Sequence, residues 1–224
     1  MISAGNDIVA LNNHSSRAGN KKFYSKILCP AELELYNGPV RHHLPLHQYV
    51  WLVWSIKESV YKFQKQNDEQ LRFATQKMSV QSVQFSQCNK NRLANNDDAE
   101  SKDLQNSLHC HCTVLSHEQV FYTRSFICTD YIHTVANNQP CFDNIRWGIG
   151  QIVQADHATQ SAEVRSLLLE QLRDIFPGTS LTIGKHVSGY PYLLNNDATI
   201  PVAISFTHDD QFIAWSFNLH PDTR

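Results

Sequence analysis

Nowhere does the sequence approach the roughly 18 consecutive apolar residues that span a bilayer, and Met1-Ile-Ser-Ala-Gly-Asn-Asp7 lacks the basic start and apolar centre of a secretion signal. The expected location is the cytoplasm. Excess charge of one sign is also missing, since 19 Lys and Arg stand against 21 Asp and Glu, so the global basic bias that draws a chain to nucleic acid is absent. Six cysteines are scattered through 224 residues, a chain too large to need a disulfide framework, and they are expected as reduced thiols. What is present is the profile of an ordinary globular protein, 42% hydrophobic and 10% aromatic. Its length suits one large domain or two modules of about 100 residues each.

One cluster invites a metal reading, His109-Cys110-His111-Cys112. A zinc site needs a second Cys/His pair at finger-like spacing, which the sequence lacks. Alternation along a strand would also send Cys110 and Cys112 to one face and His109 and His111 to the other. A half-buried strand accounts for the cluster better.

The hydropathy pattern predicts alternating helices and strands. Asp7-Ile-Val-Ala-Leu11 reads as a strand closed by Asn12-Asn13-His14, with a carboxylate at its first residue. Phe23, Ile27, Leu28, Leu33 and Leu35 suit one or two short helices interrupted at Cys29-Pro30. His42, His43 and His47 read as solvated loop histidines. From Leu46 to Phe63 there is neither Gly nor Pro, and the apolar residues fit a long, largely buried helix on which Glu58 and Lys62 share a face. A strand from Met78 to Phe85 precedes a polar surface loop, 86–107, and further strands are expected within 110–115 and 119–136.

Asn137-Asn138-Gln139-Pro140 is a candidate module boundary. Beyond it the pattern predicts a strand over 145–153 and a helix capped by Ser161 and stopped at Pro177-Gly178. Strands follow over 180–184, 200–207 and 212–217, with Asp209-Asp210 turning the last hairpin.

Three segments carry chemistry: Gly5-Asn6-Asp7-Ile8-Val9, Trp54-X-X-Lys57-Glu58-Ser59-X-X-Lys62 and Ser205-Phe206-Thr207-His208-Asp209, the last preceded by Gly189-Tyr190-Pro191. Singly, each has an ordinary explanation. Gly-Asn-Asp is a common turn, Glu58 with Lys62 is a helix pair worth roughly 0.2–0.5 kcal/mol, and His208 could end a capped hairpin. Together, in this order, they resemble the 4′-phosphopantetheinyl transferase superfamily. Its motifs look like Gly-X-Asp-Ile-(Val/Glu), Trp-X-X-Lys-Glu-(Ala/Ser)-X-X-Lys and Ser-His-Asp, with Gly-Lys-Pro before the last.

The resemblance implies the α+β fold of that family and an enzyme of the holo-acyl-carrier-protein synthase type. Such an enzyme moves 4′-phosphopantetheine from coenzyme A to a serine of an apo acyl or peptidyl carrier protein, releasing 3′,5′-ADP. It implies Mg2+, with Mn2+ as an alternative, held by Asp7 and Glu58, because magnesium takes one or two carboxylates and completes its shell with phosphate oxygens and water. Glu58 and Lys62 would act in the transfer, and Lys57, Lys62, Lys185, Gly189, Pro191, Thr207 and His208 would contact coenzyme A. Three departures stand out: Val9 where larger members carry a third acid, Thr207 for the serine before the histidine, and Tyr190 for the lysine of Gly-Lys-Pro.

Large members of the family fuse two similar modules, and those of the surfactin-synthetase-activating type carry the metal motifs in the second. Here they lie in the first half, so the expectation is a monomeric pseudo-dimer of reversed order. Residues 1–138 would hold the metal motifs and residues 139–224 the Gly-X-Pro and Thr-His motifs. A trimer of a single module with an insertion at about 75–160 is the alternative architecture. The rival function is a non-catalytic coenzyme A or carrier-protein binding module. An acyltransferase or thioesterase is weaker, because no nucleophile and base arrangement is evident. Neither nucleic acid nor membrane is expected as a partner.

Overall fold

A computed structural model describes residues 3–12, 18–87, 107–153 and 156–219. His14, Cys88 and nearly all of the expected surface loop lie outside these residues. Among the described residues no helix is long and apolar enough to cross a membrane.

Strand β1 (Gly5–Ala10) is buried at every position, because successive side chains point to opposite faces and both faces are covered. Val9 joins Val53, Ile56, Val60 and Phe63 in one core. Ile8 and Ala10 join Phe126, Trp147 and Phe212 in another. The strand begins before Asp7, so this carboxylate sits inside it and not at its first residue as the sequence suggested.

Helices α1 (Lys21–Tyr24) and α2 (Pro30–Asn37) follow, and Pro30 opens the second at a position whose N–H has no helical partner in any case. Helix α3 (Leu46–Lys65) is the long buried helix. His47 lies in its first turn, not in a loop. Trp54 packs edge-on against Trp51 and Phe73.

Strands β2 (Met78–Gln87), β3 (Leu108–Ser116), β4 (Gln119–Ile127) and β5 (Tyr131–Asn137) complete an antiparallel sheet in the order β1-β5-β4-β3-β2. Cys110 and Cys112 point into the core with their sulfurs 3.2 Å apart, while His111 is exposed. The Cys/His cluster is thus a half-buried strand, and the described cysteines are free thiols.

The second half supplies β6 (Ile145–Gln151), α4 (His157–Ile175), β7 (Leu181–Lys185), β8 (Pro191–Asn195), β9 (Ala198–Thr199), β10 (Val202–Asp209) and β11 (Phe212–Leu219). One sheet runs β10-β11-β6 and a smaller one β7-β8-β9. Helix α4 starts earlier than the sequence suggested. Asp156, not Ser161, is its cap, and its carboxylate accepts from the Ala158 and Thr159 amides. The final hairpin turns at Asp210, which takes φ 52°, while Asp209 stays in the strand. Val164, Leu168 and Leu172 of α4 pack on Ile204, Ile213 and Phe217.

The two larger sheets meet edge to edge at β1 and β10. The amides of Asn6, Ile8 and Ala10 donate to Ser205 Oγ at 3.3 Å, Thr207 Oγ1 at 3.4 Å and Asp209 Oδ2 at 2.8 Å. The constant offset means that the strands run in the same direction, with side-chain oxygens in place of a backbone ladder. Edge N–H groups that would otherwise be buried without partners are thereby satisfied.

Candidate active site

Gly5 brings β1 against α3. A Cβ there would collide with the Ser59 carbonyl oxygen and lie 2.7 Å from the Phe63 nitrogen. Ser55 and Ser59, one helical turn apart, extend the close contact, since their hydroxyls donate to Thr134 Oγ1 at 3.0 Å and to the Thr134 carbonyl at 3.1 Å. With the small residues seated on the sheet, the next row of the helix turns Glu58 and Lys62 toward Asp7.

Lys62 Nζ lies 3.0 Å from Asp7 Oδ1 and 3.3 Å from Glu58 Oε1. Thr207, from β10, donates its hydroxyl to the same Asp7 oxygen at 3.1 Å. Burial pushes the Asp7 carboxyl up to about 7, against the opposing pull of Lys62 and with a further push from Glu58. Burial also works against the Lys62 ammonium, but Asp7 and Glu58 outweigh it and hold its pKa above the usual value.

The other carboxylate oxygen, Asp7 Oδ2, is buried with no hydrogen-bond partner among the described residues. A buried orphan oxygen calls for an explanation. Beside a second carboxylate it offers the hard oxygen donors that a divalent cation such as magnesium takes. Among the described residues no group of three His, Cys, Asp or Glu is arranged to hold a metal. The chain therefore offers two carboxylates, Asp7 and Glu58, both within reach of the Lys62 ammonium.

These groups open into a cavity of about 440 Å³. Its walls include Glu58 and Lys62 from α3, Lys185 at the end of β7, Gly189 and Pro191 around the start of β8, and Thr207 and His208 from β10. Seven of the sequence-predicted residues thus share one cavity, with Asp7 behind Lys62 and Thr207. Gly189 takes φ 94°, a conformation that side-chain-bearing residues rarely adopt. Tyr190, in place of the family's lysine, also lines the cavity and stacks on His186 at 4.5 Å.

Lys57 is not among them. Fully buried, its ammonium donates to Glu32 Oε2 at 2.8 Å and to the Ile27 carbonyl at 2.7 Å. Glu32 in turn accepts from the Cys29 and Val80 amides. The contact with coenzyme A expected of Lys57 gives way to a structural ion pair tying α3 to α2 and β2.

Sequence reasoning missed His157 and Arg165 of α4, and Lys65 and Gln66 at the end of α3, all of which line the cavity. Residues 157, 161 and 165 recur every fourth position, the spacing of one helix face. Starting the helix at Ser161 hid that signal. Lys62, Lys65, Arg165 and Lys185 face the cavity against a single lining carboxylate, Glu58, so the site suits an extended anion bearing several phosphates.

Four basic side chains and two imidazoles thus line one cavity walled by α3, α4, β7 and β10. A family model described as the 4′-phosphopantetheinyl transferase superfamily matches residues 3–136. The chain belongs to that superfamily, a family of transferases. No curated protein and no solved structure is significantly similar to it.

Proposed function

We propose that the protein transfers 4′-phosphopantetheine from coenzyme A to a serine hydroxyl of an apo carrier protein, releasing 3′,5′-ADP, with Mg2+ held by Asp7 and Glu58. The observation that carries this reading is the group of Asp7, Glu58 and Lys62, in which Glu58 and Lys62 line a cavity with Lys185, Arg165 and His208, and Asp7 lies behind Lys62. Coenzyme A is a ligand of matching character, with a pyrophosphate for the carboxylate and lysine group and a 3′-phosphate for the histidine. We read residues 1–138 and 139–224 as two modules with the cavity between them, acting as a monomer in the cytoplasm.

In the transfer, the acceptor serine oxygen attacks the phosphorus that carries pantetheine, and the bond from that phosphorus to the oxygen bridging to the nucleotide phosphate breaks. The serine proton passes to the Glu58 carboxylate, directly or through a water. The electron pair stays on the departing 3′,5′-ADP, whose charge Lys62 opposes at close range. Magnesium, when bound, would neutralise pyrophosphate charge and polarise the phosphorus under attack. Thr207 orients Asp7, and the sheet edges keep water from that carboxylate.

The test is to incubate the protein with coenzyme A, magnesium and a panel of apo acyl and peptidyl carrier proteins, and to weigh the carriers by mass spectrometry. At least one carrier gains a phosphopantetheine mass, and a chelator prevents it. If no carrier gains that mass while a thioester substrate is consumed, the reading is wrong.

A further inference from the structure

Just past the end of α3, Glu69 meets His186 of the loop joining β7 to β8, with Oε1 and Nε2 3.5 Å apart. Lys65 and Gln66 line the cavity on one side of this contact and Ser188, Gly189 and Tyr190 on the other, whereas Glu69 and His186 stand outside the lining. We propose that the contact is a latch, fastening the β7–β8 loop to the end of α3 beside the cavity and setting how long a phosphate-bearing ligand stays inside.

Each partner is tied to a wall of the cavity. Lys65 Nζ donates to the Glu69 carbonyl at 2.6 Å and to the Leu71 carbonyl at 2.9 Å, so the turn that carries Glu69 hangs on a lining side chain. Across from it, the His186 amide donates to the Tyr190 carbonyl and the Gly189 amide to the His186 carbonyl, both at 2.8 Å. The His186 ring lies nearly flat on Tyr190, with 10° between the planes. The Ser188 amide donates to His186 Nδ1 at 3.2 Å. A backbone amide can only donate, so Nδ1 accepts and the ring proton sits on Nε2, the atom that faces the Glu69 carboxylate. Ring and loop are thereby one body, and what holds Nε2 also holds Ser188, Gly189 and Tyr190.

The contact is long, and its side chains are 31% and 49% exposed, which makes it a weak fastening. Val187, at the tip of the loop, is 95% exposed, so apolar packing does not hold the tip down. Weakness suits a loop that must let a ligand out in every cycle, since a strong pair would trap it. Lys185, immediately before the loop, lines the cavity. An anion held by Lys185 anchors the loop from within while Glu69 anchors it from outside.

The experiment measures the dissociation rate of 3′,5′-ADP, in magnesium, from the wild type, Glu69→Gln, His186→Phe and the double variant. His186→Phe keeps a flat ring against Tyr190 but has no proton for Glu69. Each single variant releases the nucleotide about three- to fivefold faster, and the double variant no faster than either, because both changes break the same contact. Urea midpoints stay near the wild-type value, which separates a lost latch from a lost fold. Unchanged dissociation in both single variants refutes the latch, and so does a double variant faster by about tenfold or more, the product of two independent effects. Inorganic pyrophosphate is run beside the nucleotide. If it binds with the same pattern and 3′,5′-ADP does not bind, the latch stands and the coenzyme A reading falls; if neither binds, both fall.

Discussion

Two buried titratable groups on neighbouring strands should make opposite contributions to stability as pH falls. His133 of β5 is fully buried between Phe126 and Trp147, and its Nδ1 has no hydrogen-bond partner among the described residues. Burial, aided by Lys62, drives its pKa from 6.5 down to about 3. Below pH 6.5 the unfolded chain takes up a proton that the folded one refuses, so stability present above that value is lost as pH falls. Asp7 works the other way. Its carboxyl, raised from 3.8 to about 7, takes up a proton in the fold that the unfolded chain declines, so its contribution is full below 3.8 and lost as pH rises through 7.

At about 1.4 kcal/mol per pH unit, moving from pH 7 to pH 5 costs roughly 2 kcal/mol through His133 and returns roughly 2 kcal/mol through Asp7. The two therefore nearly cancel in the wild type. Urea denaturation at pH 5 and pH 7 should show His133→Phe gaining stability on acidification, Asp7→Asn losing it, and the wild type between them. Saturating magnesium should make the wild type behave like Asp7→Asn, since a bound cation displaces the proton from Asp7. Identical pH dependence in all three proteins would refute the reasoning about both groups.

Replacing Glu58 by Gln should lower phosphopantetheine transfer by at least about a hundredfold and leave the urea midpoint near the wild-type value; unchanged turnover would remove Glu58 from the mechanism. Gly5→Ala should destabilise the protein by about 2 kcal/mol or more, because the added methyl meets backbone of α3, and an unaltered denaturation midpoint would contradict the close contact. Lys57→Met leaves the Glu32 carboxylate buried without its ammonium and should cost about 3 kcal/mol. It should not alter KM for coenzyme A at temperatures where the variant is folded. A tenfold rise in KM would put Lys57 back at the substrate.

The parts of the site that were legible in the sequence are those carried by local pattern. A stretch without Gly or Pro from Leu46 to Phe63 gives α3, and the four-residue spacing of Glu58 and Lys62 puts them on one face. The side on which Lys57 falls was not legible, because a helix buried nearly all round has no polar face to orient it. Ser161 stands just before the apolar stripe that begins at Val164 and reads as the cap, whereas the helix is capped more than a turn earlier by Asp156, which hid His157. Strands β8 and β9 were missed because a proline start and an Asn195-Asn196-Asp197 turn read locally as loop. The bond from Thr207 to Asp7 joins residues 200 positions apart, and no local rule reaches that far.

That long-range bond also explains why the family motifs depend on the half of the chain beyond the matched residues. Residues 3–136 contain Asp7, Glu58 and Lys62, yet β1 is an edge strand with amides facing away from its own sheet. Strand β10 supplies the oxygens that those amides need, from Ser205, Thr207 and Asp209 in alternate positions. Thr207 does both tasks, accepting from the Ile8 amide and donating to Asp7 Oδ1. A serine could supply the same hydroxyl, but the β-branched threonine confines it to fewer rotamers. Asp7 Oδ1 is thereby committed to Thr207 and Lys62, and Oδ2 is the oxygen left for a cation. The departure from the family's serine at this position thus keeps the chemistry of the motif and stiffens the contact that orients the proposed metal ligand.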